Sequence, residues 1–291
     1  MPQKVIIIGA KGMLGQDLVK EFKESATVLA WDFEEMDITN REMVSSKLKK
    51  ENPDIVINAA AYNAVDKAEE PDGLAMARKV NSLGPKNLAE TCKEIEAVFV
   101  TYSTDYVFDG KKKEGYFEED LPKPISNYGI SKLEGEKNVE KVGGDYFIIR
   151  TSKLFGKSGV GENVKKSFVQ IMQELGERMP EIKVVDEEMS CFTYTPDLAQ
   201  ATRFLLLGNY PSGTYHVVNS DPCTWYGCAK EIFRILKKDI KLIPVPASEF
   251  PRPAQRPKYS VLLNKKLPPL RSFKEALEEF LKESKSQHKE I

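Results

Sequence analysis

Val5-Ile6-Ile7-Ile8-Gly9-Ala10-Lys11-Gly12-Met13-Leu14-Gly15 is the stretch that decides the fold. An unbroken β-branched run such as Val5–Ile8 predicts a strand buried on both faces, because a strand with one wet face would alternate. Glycines spaced G-x-x-G-x-x-G follow at once. Leu14, Leu18, Val19 and Phe22 then mark one face of a helix between Met13 and Glu24. Strand, glycine turn and helix in that order make a phosphate cradle. Glycine allows the tight turn and the close approach of backbone N–H groups to a pyrophosphate, and the helix N-terminus adds partial positive charge. Gly9, Lys11, Gly12, Met13, Leu14 and Gly15 are therefore candidate cofactor residues. The plain alternative is that the glycines serve packing alone.

Asp32 closes the next apolar run, Val28–Trp31, at the separation expected for a group that hydrogen-bonds the adenosine ribose. Its carboxylate favours NADH, whereas Lys11 could pair with the 2′-phosphate of NADPH. The two signals oppose each other. Asp37 and Ile38 suit the adenine edge, the first through its carboxylate and the second through its aliphatic chain.

Beyond this stretch, short apolar runs alternate with helical patterns. Strands are expected at Asp54–Ile57, Ala97–Val100 and Tyr146–Ile149. Helices are expected at Arg41–Lys50 (capped by Thr39 or Asn40), Gly73–Glu94 and Ser131–Val142. This order implies parallel pairing with right-handed crossovers, an α/β doubly wound parallel sheet of Rossmann type. The later part predicts helices at Val164–Leu175, Asp197–Leu207 and Trp225–Leu236, and strands at Ile182–Val185 and Tyr215–Val218. A proline-punctuated loop from Pro244 to Pro257 precedes a last helix, Phe273–Lys282, and a charged end, Lys282–Ile291. The expected division is a dinucleotide-binding domain over residues 1–156 and a smaller, mainly substrate-binding lobe over 157–291, with some later segments returning to the sheet.

Composition removes other classes. The 291 residues are 41% hydrophobic, enough for a full core. The formal net charge of -1 gives no field for a nucleic acid. Val5–Ile8 is too short for a membrane span or a signal-peptide core. Cys92, Cys191, Cys223 and Cys228 form no C-x-x-C pair, which speaks against a metal site or a disulfide framework. A soluble cytoplasmic protein is expected.

Tyr128 and Lys132 are spaced Y-x-x-x-K, so both fall on one helix face. A nearby ammonium is expected to lower the phenol's pKa, letting it exchange a proton with a carbonyl or alcohol. Ser103-Thr104-Asp105-Tyr106-Val107-Phe108-Asp109-Gly110 ends another strand, at the edge where parallel sheets bind ligands. Thr104 would offer its hydroxyl to the same carbonyl oxygen; a capped turn is the bland alternative.

In these motifs the chain resembles the dTDP-4-dehydrorhamnose reductases of the extended short-chain dehydrogenase/reductase superfamily. The matching runs are Gly9–Gly15, Asn58–Glu69, Ser103–Gly110, Tyr128–Glu136, Arg150-Thr151-Ser152, and Arg256-Pro257 through Leu262. The resemblance implies reduction of the sugar C4 ketone with NADPH or NADH. It makes Tyr128 the proton donor, Lys132 its electrostatic partner and holder of the nicotinamide ribose, and Thr104 the tuning hydroxyl. It also implies cofactor contacts at Ala61, Tyr62, Asn63 and Tyr102, and substrate contacts at Thr104 and Asp105. The implied partner is a nucleotide sugar, with no nucleic acid and no membrane, and a homodimer is left open. Arg252, Arg256 and Lys258 are candidates for the substrate diphosphate, Arg256 through the family's Arg-Pro.

The chain also departs from the pattern. Where the family carries a tryptophan against the sugar, Lys153 stands here, and Phe192-Thr193 replaces the usual Pro-Thr. Either the Lys153 ammonium binds an extra hydroxyl or acidic group, or the side chain turns to solvent and leaves Phe155 or Phe192 to cover the sugar. The second is expected. Glu187 and Glu188 occupy a region that is acidic in metal-bridged dimers, and read as surface charges. The rival readings are a non-catalytic dinucleotide-binding subunit, like the regulatory subunit of methionine adenosyltransferase, and an epimerase or dehydratase.

Overall fold

The computed structural model describes residues 2–161 and 164–287, for 285–287 the backbone alone. The chain runs β1 (Lys4–Ile8), α1 (Met13–Lys23), β2 (Thr27–Trp31), α2 (Arg41–Glu51), β3 (Ile55–Asn58), α3 (Pro71–Arg78) and α4 (Gly84–Glu94). Next come β4 (Val98–Thr104), α5 (Asn127–Val142), β5 (Tyr146–Thr151), β6 (Leu154–Phe155) and α6 (Phe168–Arg178). Then follow β7 (Glu181–Val185), β8 (Thr193–Tyr194), α7 (Thr195–Leu207), β9 (Gly213–His216), α8 (Trp225–Leu236), β10 (Lys241–Val245) and α9 (Phe273–Gln287).

Six strands form one sheet in the order β2-β1-β3-β4-β5-β9, every neighbouring pair parallel. The order reverses between β1 and β3, and a crevice opens beyond the carboxyl ends of strands at such a switch point. One face of the sheet packs on α1 and α7 through Leu14, Leu18, Phe22, Leu198 and Leu205. The other packs on α2, α4 and α5 through Val44, Leu48, Leu88 and Val139. A separate apolar cluster, with Met172, Ile182, Phe192, Phe233 and Phe280, is built from α6, β7, α8 and α9.

Several expected boundaries move. Asn40 is the cap of α2, its side chain accepting from the Met43 N–H. The stretch expected as one helix from Gly73 is two helices joined by a π-helix over Lys79–Leu83. The helix carrying Tyr128 begins at Asn127 rather than Ser131, because the Ser126 hydroxyl accepts from the Gly129 N–H and starts it there. The helix expected from Val164 begins at Phe168, behind a reciprocal Ser167–Gln170 capping box. The strand expected at Tyr215–Val218 is Gly213–His216. β10 was hidden by Pro244, which a two-stranded ladder tolerates because its N–H position is free to face outward. The charged end continues α9 to Gln287, and 288–291 lie outside the described residues.

Candidate active site

A cavity of about 650 Å³ lies over the carboxyl ends of β1, β3, β4 and β5. It gathers residues far apart in sequence: Gly9, Lys11–Gly15, Asp32, Ala61, Asn63, Tyr102, Thr104, Asp105, Tyr128, Lys132 and Lys153. The glycine turn forms one end. Gly9 has φ +78, and a Cβ there would stand 2.7 Å from the Ala60 nitrogen; a Cβ on Gly15 would stand 2.0 Å from the Gly9 carbonyl oxygen. The turn thus packs tightly as well as facing the cavity. No side chain caps α1 at Gly12, so its first amides remain available to an anion. The Asp32 carboxylate accepts from the Lys11 and Phe33 N–H groups, both at 2.9 Å, and keeps a further lone pair on each oxygen. Phosphate donors at the turn and a ribose acceptor at the end of β2 fit a dinucleotide. Lys11 Nζ instead sits 2.9 Å from Glu34 in an exposed pair, weak enough to be exchanged for a phosphate.

Tyr128 and Lys132 project from the first turns of α5. The Lys132 ammonium is buried and donates to the Tyr102 carbonyl oxygen at 2.6 Å, and burial pulls its pKa down to about 8 against the opposing charge of Glu136. The Tyr128 phenol lies 3.4 Å from Asn63 Oδ1. Burial first, then the charge of Asp105, push its pKa up, with a Thr104 hydrogen bond opposing. This corrects the expectation of a lowered phenol: Lys132 serves a carbonyl, and desolvation outweighs any ammonium. Thr104 donates to Asp105 Oδ1 at 3.1 Å and accepts from the Tyr106 N–H. Asp105 is buried, accepts from Ser260 at 2.6 Å, and its carboxyl is held above the usual range chiefly by desolvation.

Lys153 does not turn to solvent. Its backbone has φ 40, and its ammonium lies 3.8 Å from the centre of the Trp225 ring, donating to the Glu188 carbonyl oxygen at 3.3 Å. Nor is Glu188 a surface charge: it is 6% exposed, accepts from the Trp225 indole N–H at 2.8 Å and pairs with Arg252. The sequence held no signal for Trp225 or for the buried role of Glu188, since tertiary packing alone brings the start of α8 against Lys153 and Glu188.

Other expected residues lie off the cavity wall. Arg256 is held bidentately by Asp66, at 2.9 and 2.7 Å, and Lys258 faces Glu187 at 3.7 Å. The loop's cations are therefore paired with carboxylates within the chain. Asp37 accepts from the Thr39 N–H and hydroxyl, which makes it a turn-former, and Ile38 is buried in the core. Tyr62 is pinned by Asn81, which accepts from its N–H at 2.8 Å and donates to its carbonyl at 3.0 Å. Asn81 also donates to the Ser131 hydroxyl on α5, so the π-helix ties the β3 loop to the helix bearing Tyr128. Sequence reading missed it, for a lone Asn within a helical pattern carries no signal.

The chain is similar to known proteins over nearly its whole length. Residues 3–286 match the family described as the RmlD substrate binding domain. A dTDP-4-dehydrorhamnose reductase of Burkholderia thailandensis is 34% identical over 91% of this chain and 91% of its own. A solved dTDP-4-dehydrorhamnose reductase of Bacillus anthracis, in complex with NADP, is 37% identical with TM-score 0.91, covering 97% of this chain and 100% of that one. One from Clostridium acetobutylicum is 40% identical with TM-score 0.91, covering 97% and 99%.

Proposed function

The chain belongs to the RmlD substrate binding domain family, and from that premise we propose that it reduces the C4 ketone of a nucleotide-linked deoxysugar with NADPH or NADH. The substrate is dTDP-4-dehydrorhamnose and the product dTDP-L-rhamnose. One observation carries the reading: the glycine turn and the Tyr128, Lys132 and Thr104 side chains line a single cavity. The relatives' activity and the NADP bound to one of them support it.

The first-turn amides of α1 hold the diphosphate, and Asp32 takes the ribose hydroxyls. A reduced nicotinamide bound there supplies a hydride to C4. Tyr128 then gives its phenolic proton to the carbonyl oxygen as charge gathers on it. Its raised pKa keeps that proton on the phenol at neutral pH. Lys132, charged below about pH 8, stabilises the phenolate left behind. Thr104 offers its hydroxyl to the same oxygen once it turns from Asp105. Ketone, hydride and proton together give the alcohol.

Within the same proposal, residues 1–156 hold the dinucleotide and 157–291 mainly the sugar, while β9 and α7 return to the sheet. Cytoplasmic residence belongs to it too, and sedimentation decides between a monomer and a homodimer. The deciding assay follows NADPH and NADH oxidation with dTDP-4-dehydro-6-deoxy-L-mannose, with the product identified by NMR. Formation of dTDP-L-rhamnose is expected, and oxidation of neither cofactor overturns the reading.

A further inference from the structure

Lys153 brings a cation into the part of the cavity that holds Thr104, Asp105 and Tyr128. An ammonium has three N–H donors. Among the described residues one of them is used, on the Glu188 carbonyl oxygen at 3.3 Å. The nearby carboxylates are engaged elsewhere: Asp105 accepts from Thr104 and Ser260, and Glu188 from Trp225 and Arg252. The indole beneath the ammonium is anchored by its own N–H and wedged edge-on against Phe168 and Phe192, so the charge sits on a fixed plane. Spare donors on a half-buried cation at the cavity wall are positioned to take an oxygen from a ligand.

Resting on the reductase reading, we infer that Lys153 is a specificity-determining residue whose ammonium donates to a ring hydroxyl of the sugar, so that the site selects the oxygenated sugar over its deoxy analogue. A site built to hydrogen-bond a hydroxyl rejects the analogue lacking it, because its own polar group is then left unpaired. Asp105, Glu188, Cys223 and Cys228 are the titratable groups around the ammonium, and burial outweighs them in bringing its pKa to about 8. The selectivity therefore fades as pH rises through that value.

The test compares wild type with Lys153→Met, which keeps length and loses charge, using dTDP-4-dehydrorhamnose and its 2-deoxy and 3-deoxy analogues. The wild type is expected to prefer the parent sugar over at least one analogue by roughly tenfold to 150-fold in kcat/KM, the worth of one charged hydrogen bond. In Lys153→Met that ratio falls to about threefold or less, while the cofactor Kd is unchanged, and Lys153→Arg restores part of it. A ratio that is the same in wild type and Lys153→Met overturns the inference. Binding of the corresponding reduced dTDP-sugars, titrated by calorimetry, reads the same ratio without turnover. If no cofactor is oxidised, the reductase reading fails, and the calorimetric ratio still decides on Lys153.

Discussion

A buried phenol is a poor acid in isolation, and this makes Tyr128 a sharp test of how the site works. Burial and Asp105 keep its proton on, so in the proposed reaction the proton leaves only as charge gathers on the substrate oxygen. Tyr128→Phe is expected to lower kcat by about 10²–10⁴, the range for a positioned acid, with the cofactor Kd held. The pH profile carries a sign. Lys132 is charged below about pH 8 and neutral above it, so kcat should fall as pH rises through that point. The same falling limb should persist in Lys153→Met, which separates the two lysines. In the proposed reading Asp32 sets the cofactor ratio, since its free lone pairs would suit a ribose hydroxyl and disfavour a 2′-phosphate. Asp32→Ala should weaken NADH while improving NADPH, read as separate KM values, and an equal response would remove Asp32 from the 2′ position. Tyr128, Lys132 and Asp32 were all legible in the sequence, because their spacing is a local property of one helix or one strand end. Lys153 was visible as a departure, but its direction was not, since the indole beneath it belongs to α8, far away along the chain.

Among the elements, α5 meets a close geometrical demand. It carries both Tyr128 and Lys132, and it lies so close to the π-helix that a Cβ on Gly135 would stand 2.1 Å from the Asn81 carbonyl oxygen. Backbone is what it would meet, so α5 or the π-helix must shift. Gly135→Ala should destabilise the fold by ~1–3 kcal/mol, as overpacking does, measured by urea unfolding. It should also lower kcat more than the cofactor Kd changes, because a displacement of about 1 Å at the reacting groups can cost roughly a hundredfold. Unchanged kcat would show that α5 does not need this close approach. The helix itself was legible from its pattern, though its start was not: the Ser126 cap outweighs the apolar periodicity that pointed to Ser131. The π-helix was illegible for a related reason, since an extra residue in a turn is set by what packs on it.

At the scale of the molecule, His216 reports on the integrity of the sheet's β9 edge. It is fully buried, with Nδ1 at 2.8 Å from the Leu263 carbonyl oxygen, so that nitrogen carries the proton. Nε2 faces Arg150, whose charge adds to burial in pulling the pKa from 6.5 to about 3. The folded protein thus keeps His216 neutral where the unfolded chain would protonate it. Between about pH 6.5 and 3 the unfolded state binds the extra proton, so stability falls as pH falls, by up to ~1.4 kcal/mol per unit. Comparing pH 7.5 with pH 5, wild type should lose ~2 kcal/mol more than His216→Gln in urea unfolding. Equal losses would mean that other groups carry the acid sensitivity. No helix among the described residues is long and apolar enough to cross a membrane.

By itself the sequence determined the parallel sheet, the glycine turn and the Tyr-Lys pair. Each of these depends on residues within one strand, turn or helix, where periodicity and spacing translate directly into direction. Only the tertiary structure decided which charged groups reach the cavity. Arg256 is held by Asp66 and Glu188 is buried under Trp225, while Lys153 rests on an indole from α8. A charge is free or paired according to what the fold brings beside it, and those partners stand far away along the chain.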